Sequence, residues 1–232
     1  VLADFPDVPK RFLRGNHDGQ PGRSESGLRW LAVQENVFVI DEPLPYWDAI
    51  AWWPWQKTLE GLPAFLAEAK KAKVKVLMAH AFLSGSLLGP GDHRATGKGA
   101  TLEQFGLAGK GRVFDLAFVG DVHKAQVLGD TPVRKGARKL ADLTKPQPDW
   151  VATVDGQAWI PGSPYGHNWG EREEHKGCLF VDTDKGVVER LPVEAPRFVV
   201  AEWVDVAEIK GKGWAQGDFV RVLVPVGTSP KA

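Results

Sequence analysis

Sulfur is nearly absent from this chain: its 232 residues hold one cysteine, Cys178, and one methionine, Met78. A lone cysteine excludes an internal disulfide framework and a thiolate metal cage, suits a reducing cytosol, and is expected as a packed thiol. An excess of charge is missing too, since 29 Lys and Arg face 29 Asp and Glu. With no net attraction to polyanions, any nucleic acid would have to be held locally. No apolar run approaches the roughly 20 residues that cross a bilayer, and no charged-then-apolar leader precedes the first strand-like segment. The expectation is a soluble, cytoplasmic protein with no membrane partner. Internal repeats and low-complexity tracts are also lacking.

What is present is a large apolar fraction, 43% of residues, enough for one large domain or a domain with a small appendage. Up to Gly120 the pattern alternates strand and helix. "NVFVID" (36–41), "AIAWWPW" (49–55, stopped by Pro54) and "VKVLMAH" (ending at His80) read as strands, and so does "FDLAFVGDVH", ending at Gly120. Helices are predicted from the Ser24–Ser26 cap to Gln34, with Leu28, Leu31 and Ala32 on one face, from about Leu59 to Lys71, and over Thr101–Leu107. From Trp150 onward short strands and turns take over, with a hairpin signal at Asp184-Lys185-Gly186. A boundary is placed near Pro192–Pro196, and the basic run Arg134 to Lys139 reads as a solvated loop.

Polar residues gather where strands end, which is where α/β folds build sites. His17 follows Gly15-Asn16, His80 closes a strand, and His123 lies just past another, close to Asp121. Imidazole, carboxylate and amide oxygen are N and O donors suited to Mn, Fe or Zn, and two such cations activate water for phosphoryl displacement. His93, His167 and His175 lie in polar loop surroundings and are read as surface residues.

"GNHDG", "MAHAFL" and "VGDVHKAQ", in this order, resemble the last three motifs of the calcineurin-like metallophosphoesterases. With "AWIPGSPYGHNWGERE" and "KGCLFVDTDKG" after them, the chain is similar to SbcD, the nuclease subunit of the SbcCD complex, and to its Mre-type relatives. The resemblance implies an α/β fold, a two-sheet αββα sandwich whose N-terminal part is missing. That domain would span 1–194, and "PRFVVAEWVDV" would begin a small DNA-binding cap at 195–232. It implies two divalent metal ions, with Mn first among them. Asn16, His80 and Asp121 would bind the second metal and His123 the first, and His17 would act as catalytic histidine on the scissile phosphate. Lys124 is the candidate nucleic-acid contact, Trp169 is a candidate to stack on DNA, and Asp18 is expected in an orienting or structural rather than a catalytic role.

The chain departs from the family in two places. The last motif has Asp121 where the family usually has His, and the upstream Asp-x-His and Gly-Asp-x-x-Asp motifs are not among these residues. Because the chain begins with Val rather than Met and so few residues precede the motif, an N-terminal part is expected to be missing. The implied function is a metal-dependent DNA nuclease, with DNA, an SbcC-type coiled-coil ATPase and a second copy of the chain as partners. The alternatives are a phosphatase or cyclic-nucleotide phosphodiesterase of the same fold, and a non-catalytic scaffold module without the first metal site.

Overall fold

The computed structural model describes residues 5–19, 26–88, 99–129, 151–153, 157–172, 174, 176–182, 187–202 and 217–223. These form a mixed α/β structure. A first pair of strands, β1 (Lys10–Leu13) and β2 (Val37–Ile40), runs parallel. The main sheet has six strands in the order β3 (Leu44–Trp47), β4 (Ile50–Trp53), β5 (Val76–His80), β6 (Leu116–Gly120), β9 (Gln157–Ile160), β7 (Gln126–Leu128). Strands β4, β5, β6 and β9 are mutually parallel, and the two edge strands run antiparallel to their neighbours. Strands β8 (Val151–Thr153), β10 (Gly177–Asp182) and β11 (Val187–Pro192) make a small antiparallel sheet. Strands β12 (Phe198–Glu202) and β13 (Phe219–Leu223) pair in parallel as a separate ribbon.

Alternation along the central strands gives the main sheet two different buried faces. Leu77 and Ala79 of β5, with Ala117 and Val119 of β6, pack against helix α1 (Leu62–Lys71) and the loop that carries Phe105 and Phe114. Helix α1 buries Leu62, Phe65 and Ala69, one face of a 3.6-residue period; Pro63 sits in its first turn and Lys70 and Lys71 in its last. On the other face Leu116, Phe118 and Trp159 meet Val188, with Val76, Met78, Leu179 and Val181 around them. Helix, sheet and sheet thus form three layers. Strand parity puts His80 and Gly120 on the second face, at the open end of the sheet-on-sheet interface.

Strands β2, β4, β5 and β6 and helix α1 fall where apolar periodicity placed them, whereas β1, β3 and β7 were not read from it and several shorter features differ. Residues Gly27–Val33 form a single 3-10 helix; Leu31 is buried and Ala32 exposed, and the Ser26 side chain makes no cap hydrogen bond. Three apolar residues are too few to hold a longer helix on a surface. Residues 101–107 are turns rather than a helix, although Thr101 and Gln104 exchange the reciprocal hydrogen bonds of a capping box at 2.8 and 3.1 Å. Cys178 is exposed, not packed: it lies on the outer side of β10 together with Phe180, while Leu179 points inward. The hairpin register Asp182↔Val187 agrees with the turn read at 184–186, though that turn, like His93, His175 and the run 134–139, lies outside the described residues.

Candidate functional site

Strand β1 delivers Arg14-Gly15-Asn16-His17 to the C-terminal ends of the sheets. Arg14 is buried; its N–H donates to Ile40 O at 3.1 Å, its carbonyl accepts from Trp55 N at 2.8 Å, and its guanidinium donates to Trp55 O at 2.9 Å. The turn that follows closes on Asp18, whose carboxylate accepts the Gly15 N–H at 2.7 Å. Asn16 and His17 are left exposed at its tip.

His80 is the meeting point. Its Nε2 lies 3.2 Å from Asn16 Oδ1 and 3.4 Å from Asp121 Oδ1, so three chain segments converge on one ring nitrogen. Two glycines permit this approach. A Cβ on Gly15 would sit 2.9 Å from His80 Cε1, and one on Gly120 3.0 Å from its Nδ1. Gly120 is also the register partner of His80 across β5 and β6, so the strand next door leaves its side-chain space to the imidazole. Asp121 follows with φ +115°, a backbone angle that L-residues rarely adopt.

This donor set fits a divalent cation. Ligands bonded at about 2.0–2.2 Å to one ion lie roughly 3 Å from each other, near the separations seen here, and the donors are one imidazole, one carboxylate and one amide oxygen. Among the described residues no group of three or more His, Cys, Asp or Glu is gathered. The amide of Asn16 makes the third donor in this case.

His123 is engaged elsewhere. Its Nδ1 lies 2.9 Å from Glu171 Oε1, and its ring stacks on that of His167, centroids 4.3 Å apart, which in turn stacks on Tyr165 at 4.7 Å. Glu171 is only 6% exposed and is surrounded by donors. Asn168 Nδ2 reaches Oε1 at 2.9 Å; Lys176 Nζ, the His167 N–H and Ser163 Oγ reach Oε2 at 2.7, 3.3 and 3.4 Å. Burial pushes the Glu171 carboxyl up, but the hydrogen bonds from Lys176, His123 and the His167 N–H outweigh it and hold the pKa at about 2. Lys176 also bonds Ser163 Oγ at 2.8 Å and Glu174 at 2.9 Å. The turn carrying Ser163 is tied to His123 by a 3.0 Å bond from Ser163 N to the His123 carbonyl, at a Gly162 whose φ of +77° and close backbone neighbours suit only glycine.

The two groups share a wall. A cavity of about 290 Å³ is lined by Asp121, His123, Lys124, Asn168, Glu171 and neighbouring residues. Gln126 braces it, accepting from Leu87 N at 2.7 Å and donating to the Leu87 and Lys124 carbonyls at 3.1 and 3.0 Å. Lys124 is half-buried in that wall. Trp169 packs edge-on against Phe198, and the Arg221 guanidinium lies 4.3 Å above its ring, which joins the β12–β13 ribbon to the 3-10 turn holding Glu171.

Of the residues singled out in the sequence, Asn16, His80 and Asp121 are brought together, and His123 and Lys124 line the adjoining cavity. Glu171, Lys176 and the stacking role of His167 were not legible there: an acid and a base in "WGEREEHK" look like solvated charges until the turn at Gly162 folds them inward. No protein-family model matches the chain, and no curated protein sequence matches it either.

Proposed function

We propose that this chain belongs to the calcineurin-like metallophosphoesterase fold and supplies part of a two-metal phosphodiesterase site whose substrate is DNA, as in the SbcD-like nucleases it resembles. The observation that carries this reading is the convergence of Asn16, His80 and Asp121 on one point from the ends of β1, β5 and β6. The three layers of helix, sheet and sheet support the fold, being consecutive layers of an αββα sandwich.

A pair of divalent ions, if held there, would supply an activated water and neutralise charge on the phosphate. Asn16, His80 and Asp121 would hold one ion and His123 would contribute to the other, with Mn as the expected metal. His17, exposed beside Asn16, would meet the scissile phosphate and protonate the leaving oxygen. Lys124 would offer a cation to the flanking phosphate, and Trp169 a ring to the DNA. The SbcC-type ATPase and a second copy of the chain are proposed partners on the strength of the resemblance alone.

A Mn²⁺ titration followed by water-proton relaxation tests the site. Saturable binding is expected, weakened roughly tenfold or more by His80→Ala and by Asp121→Ala. Binding unaffected by either change would sink the reading. Linear duplex DNA compared with a chromogenic phosphodiester then separates nuclease from general phosphodiesterase; hydrolysis of the small ester alone would remove DNA as the substrate.

A further inference from the structure

We propose that Glu171 is a positioning residue for His123: it fixes the imidazole in the Nδ1–H tautomer and turns Nε2, with its lone pair, toward the shared cavity. This inference rests on the reading of His123 as a metal donor.

The argument is one of counting donors. A neutral imidazole carries one N–H, and whichever nitrogen donates leaves the other as the acceptor or ligand. An ionised carboxylate only accepts, so the 2.9 Å contact between His123 Nδ1 and Glu171 Oε1 requires the proton on Nδ1. Every other group at the Glu171 carboxylate is also a donor: Asn168 Nδ2, Lys176 Nζ, the His167 N–H and Ser163 Oγ. None of these offers the proton a competing acceptor role that would reverse its direction. Stacking on His167, backed by Tyr165, constrains rotation of the ring about χ2. The 3-10 turn that carries Glu171 is itself fixed by Asn168, whose Oδ1 accepts from Gly170 N at 2.8 Å. A carboxylate behind a metal-binding histidine raises its basicity and sets its aim.

Glu171→Gln tests this with nearly unchanged shape. Glutamine has one acceptor oxygen, and the cluster of three donors at the Oε2 position, Lys176 among them, claims it. The amide NH₂ then takes the Oε1 position, where it gives up the Asn168 Nδ2 hydrogen bond and donates to His123 Nδ1, which moves the imidazole proton to Nε2.

The experiment is a long-range ¹H–¹⁵N correlation spectrum of the metal-free 232-residue chain labelled at histidine. His123 in the parent is expected as the Nδ1–H tautomer, and in Glu171→Gln as Nε2–H. A parent ring protonated on Nε2, or a spectrum unchanged by the substitution, would overturn the proposal. Should Glu171→Gln fail to fold because Lys176 loses its counter-charge, the parent spectrum alone still decides the tautomer. Adding Mn²⁺ separates this inference from the one beneath it. Selective broadening of the His123 ring supports it as a donor; no broadening with the Nδ1–H tautomer intact removes the metal role and leaves the positioning.

Discussion

The two groups of candidate ligands are built on opposite plans. Asn16, His80 and Asp121 meet at the rim, where the donors touch one another and two glycines make the room. His123 is supported from behind by a buried carboxylate, a buried ammonium and a stack of rings. The first group is shaped by what is absent around His80, the second by what is packed behind His123. Chemistry at the rim therefore costs the fold little to change, whereas the network around Glu171 is part of the fold.

The largest effect that would break this contrast lies in Glu171. Glu171→Ala leaves the nearly buried Lys176 ammonium with Glu174 as its remaining carboxylate, and a loss of about 3–5 kcal/mol in urea unfolding is expected. Asp121→Asn at the rim is expected within about 0.5 kcal/mol of the parent. Similar losses for the two would mean that the groups do not differ in kind.

Next come the glycines. Gly120→Ala brings a methyl to 3.0 Å from His80 Nδ1, so about 1–3 kcal/mol of stability and the Mn²⁺ response should be lost together. Retained Mn²⁺ binding would show that His80 needs no such niche. Smaller still is Arg221→Ala, which removes the cation above Trp169; a loss of about 0.5–1 kcal/mol in thermal unfolding is expected, without a change in Mn²⁺ binding.

The smallest prediction concerns Asp41, the residue that follows β2. Burial pushes Asp41 up, yet its surroundings, chiefly Ser26 and the Arg29 guanidinium at 2.9 Å, bring it below its ordinary 3.8. Ser26 Oγ faces it without a regular hydrogen bond, so the Arg29 contact is the firmer cause. A lowered folded pKa stabilises fully above the unfolded value and is lost as pH falls through the folded one. The stability gap between the parent and Asp41→Asn should therefore be widest near neutrality and close in acid, as read by urea titrations at several pH values.

How much of this was legible depended on the range of the forces involved. Strands β4, β5 and β6 and helix α1 were readable because alternation and the 3.6 period are local consequences of burial. Strand β3 was not, since it carries Pro45, tolerated only because the strand lies at a sheet edge; nor was three-residue β7, which opens on polar Gln126. At the site, His80 announced itself by closing an apolar strand. Glu171 could not, because its burial depends on a turn at Gly162 and a lysine five positions away, and nothing local distinguishes it from the acids beside it.

The φ of +115° at Asp121 carries a consequence for the history of such a chain. The backbone there suits glycine, and holding a carboxylate in it costs on the order of 1–3 kcal/mol. Asp121→Gly should therefore make the protein hardier while leaving His80 with one fewer companion. Screening variants for heat resistance alone would favour that exchange; pressure to keep a cation at the rim would oppose it. Position 121 is where durability and chemistry ask for different residues.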